Sequence, residues 1–129
     1  RMRAAAATLV GEHDFSAFRS SECQARSTVR RLTRLTVERD REWVVLEVTA
    51  NAFLHHMVRN LAGVLIAIGL ADEPVEWARQ VLESRDRTQG GITAPAEGLY
   101  MWAIDYPRAF GLPADARSAM IAPPFDTRV

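Results

Sequence analysis

The chain has 129 residues, 48% of them apolar, and a formal net charge of zero. That length holds one domain with a real core, and that apolar share excludes a disordered chain. The neutral balance excludes a global field that would announce a nucleic-acid partner. The single cysteine, Cys23, excludes an internal disulfide and a cysteine-based zinc site, and it fits a reducing cytoplasm.

The sequence carries no signal-peptide pattern, and its longest apolar run, Leu61 to Ala71, is too short to span a bilayer. All 16 basic residues are arginine. Seven of them (Arg19, Arg26, Arg30, Arg31, Arg34, Arg39, Arg41) fall between positions 19 and 41, against three acids there. Arginine is the better bidentate phosphate ligand. Arginine in place of lysine also fits a GC-rich genome, so both readings stay open.

Arg1 to Val10 reads as the last turns of a helix stopped by Gly11. That helix has no cap at its start, so a longer parent protein is expected. Residues 11–20, GEHDFSAFRS, read as a loop or single helical turn pinned by Phe15 and Phe18, with His13 and Asp14 in turn and capping roles. Residues 20–28 are polar, without periodicity, and read as an exposed loop. Arg19 and Arg26 there are candidate phosphate contacts, as is Arg30 just after.

Val29 to Arg39 alternates imperfectly. Val29, Arg31, Thr33, Leu35 and Val37 fall on one face; Arg30, Leu32, Arg34 and Glu38 fall on the other. A turn at Asp40-Arg41-Glu42 leads to a better alternation from Trp43 to Ala50, with Val44, Leu46 and Val48 on one side. This predicts an antiparallel hairpin.

Residues 50–69, ANAFLHHMVRNLAGVLIAIG, predict one amphipathic helix. Asn51 suits its N-cap and Gly69 a left-handed end. Leu54, Val58, Leu61, Leu65 and Ile68 form an apolar stripe, widened by Met57 and Val64. His55, Arg59 and Gly63, at four-residue steps, share the opposite face. Small neighbours there let another chain or a ligand approach the backbone. Spacing alone reads Arg59 and His55 as solvated residues on the outside of a core helix. His55 and His56 point about 100° apart on a helix, too far to share an ion, and no other metal cluster emerges.

Asp72-Glu73-Pro74 starts a further helix, with Val75, Ala78, Val81 and Leu82 inward and an end near Ser84. Arg85 to Glu97 is a loop. Gly98 to Tyr106 predicts a strand stopped by Pro107, and residues 108–129 an irregular tail. The order gives one domain over 1–129, an α+β fold with an antiparallel (mixed) sheet and helices packed on one face.

HHMVRN followed by a small-residue, Gly-containing run resembles the helix of the tRNA pseudouridine synthase A family. GEHDFSAFRS, the DRT loop, PAEGLY, DYP and a late PPF match the same family's C-terminal half in order. The resemblance implies a pseudouridine-synthase-like fold. It also implies an enzyme that isomerises uridine at positions 38, 39 and 40 of the tRNA anticodon arm, without cofactor, in the cytoplasm and as a homodimer. The base must be flipped out of its stack.

The family's catalytic aspartate lies in an R-x-D-x-G-V-H-A motif that this chain lacks, so the chain alone is expected to be inactive. Arg59 matches the family's active-site arginine, which pairs with that carboxylate. Gly98 and Leu99 match its G-L element on the uracil, and His55 would line the same cleft. A lone buried arginine is costly, so Arg59 is expected to meet water or another anion. The alternative is a stand-alone α+β RNA-binding module, held by the Arg-rich hairpin and without catalysis.

Overall fold

The computed structural model describes residues 1–101, 103 and 104. The chain divides into a first unit, Arg1–Pro95, and a second that begins at Ala96.

The first unit is an α+β layer pair. Helix α1 (Met2–Ala7) precedes strand β1 (Gly11–Asp14) and a short 3-10 turn (Ser16–Phe18). Strands β2 (Val29–Asp40) and β3 (Trp43–Ala50) follow, then helices α2 (Met57–Gly69) and α3 (Trp77–Ser84). The sheet order is β1-β2-β3, antiparallel throughout. The expected hairpin forms, and its turn is made by Arg41 in the left-handed region (φ 56°).

Three readings need correction. The segment expected to be only a loop or helical turn begins with a strand, because residues 11–14 pair with Val29–Leu32. The two-face assignment of β2 fails because a bulge lies between Leu32 and Arg34. The extra residue reverses the alternation. Leu32, Leu35 and Val37 therefore all face the core, at 0%, 7% and 7% exposure. The predicted strand from Gly98 shows no ladder among its described residues. A turn occupies its start instead: Leu99 N–H donates to the Ala96 carbonyl at 3.2 Å. A strand exists only where its backbone groups find a partner. Trp102, the DYP segment, PPF and the tail 108–129 lie outside the described residues.

One apolar core joins the sheet to the helices. Leu32, Leu35 and Val37 meet Phe15 and Phe18, Ala5 and Ala6 of α1, the inner face of α2, and Ala78, Val81 and Leu82 of α3. The two phenylalanines are fully buried and meet edge to face at 6.0 Å, the anchoring role expected of them. Each such burial is worth roughly 1.5–3 kcal/mol. Leu46, Val48 and Ala50 of β3 close the core's margin.

Asp14 shows the turn chemistry expected of it. Its Oδ1 accepts from the Ser16 N–H at 2.9 Å, the Thr28 hydroxyl at 2.7 Å and the Ser16 hydroxyl. Partial burial raises its pKa, but these bonds, with the Arg85 charge, outweigh that and hold the carboxyl below the ordinary aspartate value of 3.8. A depressed carboxylate pKa contributes stability above the unfolded value and loses it as pH falls through the folded one. Asp14→Ala is therefore expected to cost roughly 1–3 kcal/mol at pH 7. The difference from the parent should shrink below about pH 4, as read by urea melts at several pH values.

Candidate functional site

The site is built at the start of α2. Asn51 does not cap this helix. Its Oδ1 accepts from Arg31 N–H at 2.9 Å and Ala52 N–H at 3.0 Å, so its amide finishes the sheet edge instead. The chain then runs irregularly to His56, which enters the helix in the left-handed conformation (φ 60°). The helix begins five residues later than the sequence pattern predicts, with its cap at His56 in place of Asn51. Its inner face is accordingly Met57, Asn60, Leu61, Val64, Leu65 and Ile68, with Leu54 buried ahead of it. Gly69 ends the helix without a left-handed backbone; that conformation falls on Ala71 (φ 64°).

Arg59 lies in the first turn of α2 and is partly buried. Its Nε donates to the Ala94 carbonyl at 2.8 Å, and its Nη1 donates to His56 Nε2 at 3.2 Å. A guanidinium has no lone pair to offer. His56 Nε2 is therefore the acceptor, and the neutral ring carries its proton on Nδ1. Partial desolvation, then the His55 and Arg59 charges, hold the His56 pKa below the ordinary histidine value, against an opposing pull from Glu22. Among the described residues no carboxylate pairs with Arg59. The neutral carbonyl and imidazole it meets leave its charge uncompensated there.

His55 precedes the helix, so the shared face with Arg59 and Gly63 is not formed as expected. Its ring stacks on His56 with centroids 3.9 Å apart and planes 24° apart. A helical pair would point apart; these two rings lie parallel because both residues stand in a turn. His55 Nδ1 and Ser20 Oγ are hydrogen-bonded at 2.6 Å, and Ser20 N–H donates to the His55 carbonyl at 3.0 Å. His55, His56 and Arg59 thus form one continuous row.

The small-residue face of α2 does admit a close approach, and the approaching chain is the protein's own loop. A Cβ on Gly63 would stand 1.9 Å from the Ile92 carbonyl oxygen. Two residues on, Ala94 N–H donates to the Arg59 carbonyl at 3.1 Å. Asn60, 4% exposed, binds the same loop: its Oδ1 accepts from the Thr93 hydroxyl at 2.6 Å and Arg87 Nη2 at 3.1 Å. Sequence reasoning gave no site role to Asn60, Arg87 or Thr93, and weighed His56 only as a metal ligand and set it aside. The available signal was an amide among the apolar residues spaced three and four apart, at 57, 60, 61 and 64.

Of the candidate phosphate contacts, Arg19 and Arg30 flank the turn that holds Cys23. Backbone N–H groups of Ala25 and His55 lead the causes that lower the Cys23 thiol pKa, with Arg19 and Arg30 adding to them against partial burial. Arg30 Nη1 donates to the Ser27 and Val29 carbonyls at 2.9 and 2.8 Å. Arg26 is exposed. On the outer sheet face Arg31 and Arg34 pair with Glu12 and Glu47 at 3.3 and 3.7 Å.

In the second unit, Gly98 has φ 90° at the third position of the Ala96–Leu99 turn, a conformation other residues enter at a cost. The Leu99 side chain is about half exposed.

A family model described as tRNA pseudouridine synthase matches residues 5–107. The tRNA pseudouridine synthase A of Nitrosococcus oceani is 52% identical over 121 residues, which are 94% of this chain and 47% of that protein. The protein of the same name from Methylococcus capsulatus is 54% identical over 116 residues, 90% of this chain and 43% of its own length. That from Pseudomonas aeruginosa is 51% identical over 113 residues, 88% of this chain and 40% of its own. The chain spans less than half the length of these relatives.

Proposed function

Because the chain belongs to the tRNA pseudouridine synthase family, we propose that it is the C-terminal part of a longer synthase. That enzyme isomerises uridine to pseudouridine at positions 38–40 of the tRNA anticodon arm. The observation that carries the reading is the Arg59 guanidinium. It is held on one edge by a carbonyl and on another by a neutral imidazole, and among the described residues it has no carboxylate partner.

A group fixed in that way suits a carboxylate delivered from elsewhere. The family's aspartate, in an R-x-D-x-G motif, is the fitting partner. Beside Arg59 that carboxylate stays ionised and oriented. It then breaks the glycosidic bond and lets the uracil reattach through carbon. The uridine must leave its stack to reach it. The resemblance gives Gly98 and Leu99 the uracil-facing role, and a half-exposed leucine offers an apolar surface to a flipped base. His55 belongs to the rim of the site, and Arg19, Arg26 and Arg30 to the phosphate contacts. No cofactor enters the reaction. The enzyme works in the cytoplasm as a homodimer.

The stand-alone RNA-binding alternative drew on the Arg-rich hairpin. The pairing of Arg31 and Arg34 with acids weakens it, since a paired arginine releases less counterion on meeting phosphate.

The test is turnover by the piece and by the whole. The purified 129-residue chain should form no pseudouridine in an anticodon-arm transcript, while the longer protein carrying the aspartate motif should. Activity in the short chain, or none in the long one, would remove the assignment.

A further inference from the structure

Asn60 stands among the apolar residues of the α2 face, where a leucine would pack as well and cost nothing in desolvation. Its amide is instead bonded on both sides. Nδ2 donates to the Phe18 carbonyl at 2.7 Å. Oδ1 accepts from the Thr93 hydroxyl at 2.6 Å and from Arg87 Nη2 at 3.1 Å. Arg87 Nη2 also donates to Thr93 Oγ1 at 2.8 Å. Three side chains close a ring in which each donor and acceptor is used in a permitted sense.

The ring's place explains its value. Asn60 follows Arg59 in the helix, and Thr93 precedes Ala94 in the loop. Ala94 exchanges two bonds with Arg59: its N–H meets the Arg59 carbonyl at 3.1 Å, and its own carbonyl takes the Arg59 Nε–H at 2.8 Å. Whatever fixes Thr93 against Asn60 therefore fixes the carbonyl that sets the plane of the guanidinium. Arg59 is a long side chain with much rotamer freedom to lose, and only a stationary acceptor can hold it.

We propose that Asn60, Thr93 and Arg87 form a latch that positions the Arg59 guanidinium by locking the Ala94 carbonyl against α2. The three are positioning residues, since they act through Arg59. The catalytic half of this inference rests on the role given to Arg59 above; the geometric half does not.

Two variants and two readouts test it. Thr93→Val keeps the shape and removes the hydroxyl; Thr93→Ser keeps the hydroxyl. In the longer synthase, Thr93→Val should lower kcat about ten- to hundredfold, with KM for tRNA within about twofold and Thr93→Ser near the parent. In the 129-residue chain, solvent exchange of the Arg59 Nε–H, followed by NMR, should speed up about tenfold or more in Thr93→Val and not in Thr93→Ser. A loss of melting temperature in Thr93→Val with unchanged kcat and unchanged Nε–H exchange would mean that the ring only staples the loop, and would overturn the proposal. Arg59→Lys separates the two layers. If it keeps full turnover the reading of Arg59 fails, while the exchange experiment still decides whether the latch positions the guanidinium.

Discussion

Replacing Arg59 by alanine in the longer synthase is expected to lower kcat by roughly 10²–10⁴-fold, while the Kd for tRNA changes by less than about threefold. The size follows from the pair it is proposed to make. Removing one member of a buried ion pair costs roughly 3–5 kcal/mol, and each 1.36 kcal/mol is about tenfold in rate. The asymmetry follows from the geometry. Arg59 is partly buried in the first turn of α2, and its Nε and Nη1 are already committed within the protein. With the proposed carboxylate on its remaining edge as well, the guanidinium has little left with which to carry a phosphate contact of its own. Single-turnover rates and filter-binding affinities, measured on the same preparations, separate the two effects. Equal losses in both would make Arg59 an RNA contact.

Gly63→Ala is expected to destabilise the 129-residue chain by roughly 1–3 kcal/mol, although alanine is the better helix former by roughly 0.5–1 kcal/mol. The two effects oppose, and distance decides between them. The new Cβ would stand 1.9 Å from the Ile92 oxygen and 3.1 Å from its carbonyl carbon. Both are backbone atoms, so no side chain can swing aside. The loop must lift, and lifting it strains the Asn60–Thr93 and Arg59–Ala94 bonds that follow. Urea melts measure the change, and a gain in stability would show that the loop does not dock on this helix in solution. In the longer enzyme the same variant should lose turnover as well, because the Ala94 carbonyl moves with the loop.

The hairpin was legible because the clean alternation of its second strand, its turn residues and its length agree, and Val29–Asp40 and Trp43–Ala50 fall within a residue of where the pattern puts them. The helix pair was legible from apolar spacing, and Gly69 marks the end of α2 correctly. What escaped was set by contacts that a linear pattern does not carry. Asn51 is as good a strand-edge amide as it is a helix cap, and Arg31 across the sheet chose the first. A single bulge turned Leu32 inward, which strict alternation forbids. Strand β1 was hidden because four residues are too few to show a period. Arg59 looked like a solvated residue by spacing and was singled out only by the HHMVRN string. Its anchoring by Ala94, thirty-five positions away, has no local signature.

The most direct measurement is a titration of the carboxylate proposed to face Arg59, the aspartate of the R-x-D-x-G motif, by carbon NMR in the longer protein. Beside an intact Arg59 its pKa should lie about 1–3 units below the ordinary aspartate value, and in Arg59→Gln it should return most of the way. A carboxylate whose pKa is the same with and without that guanidinium would contradict the pairing and the role given to Arg59.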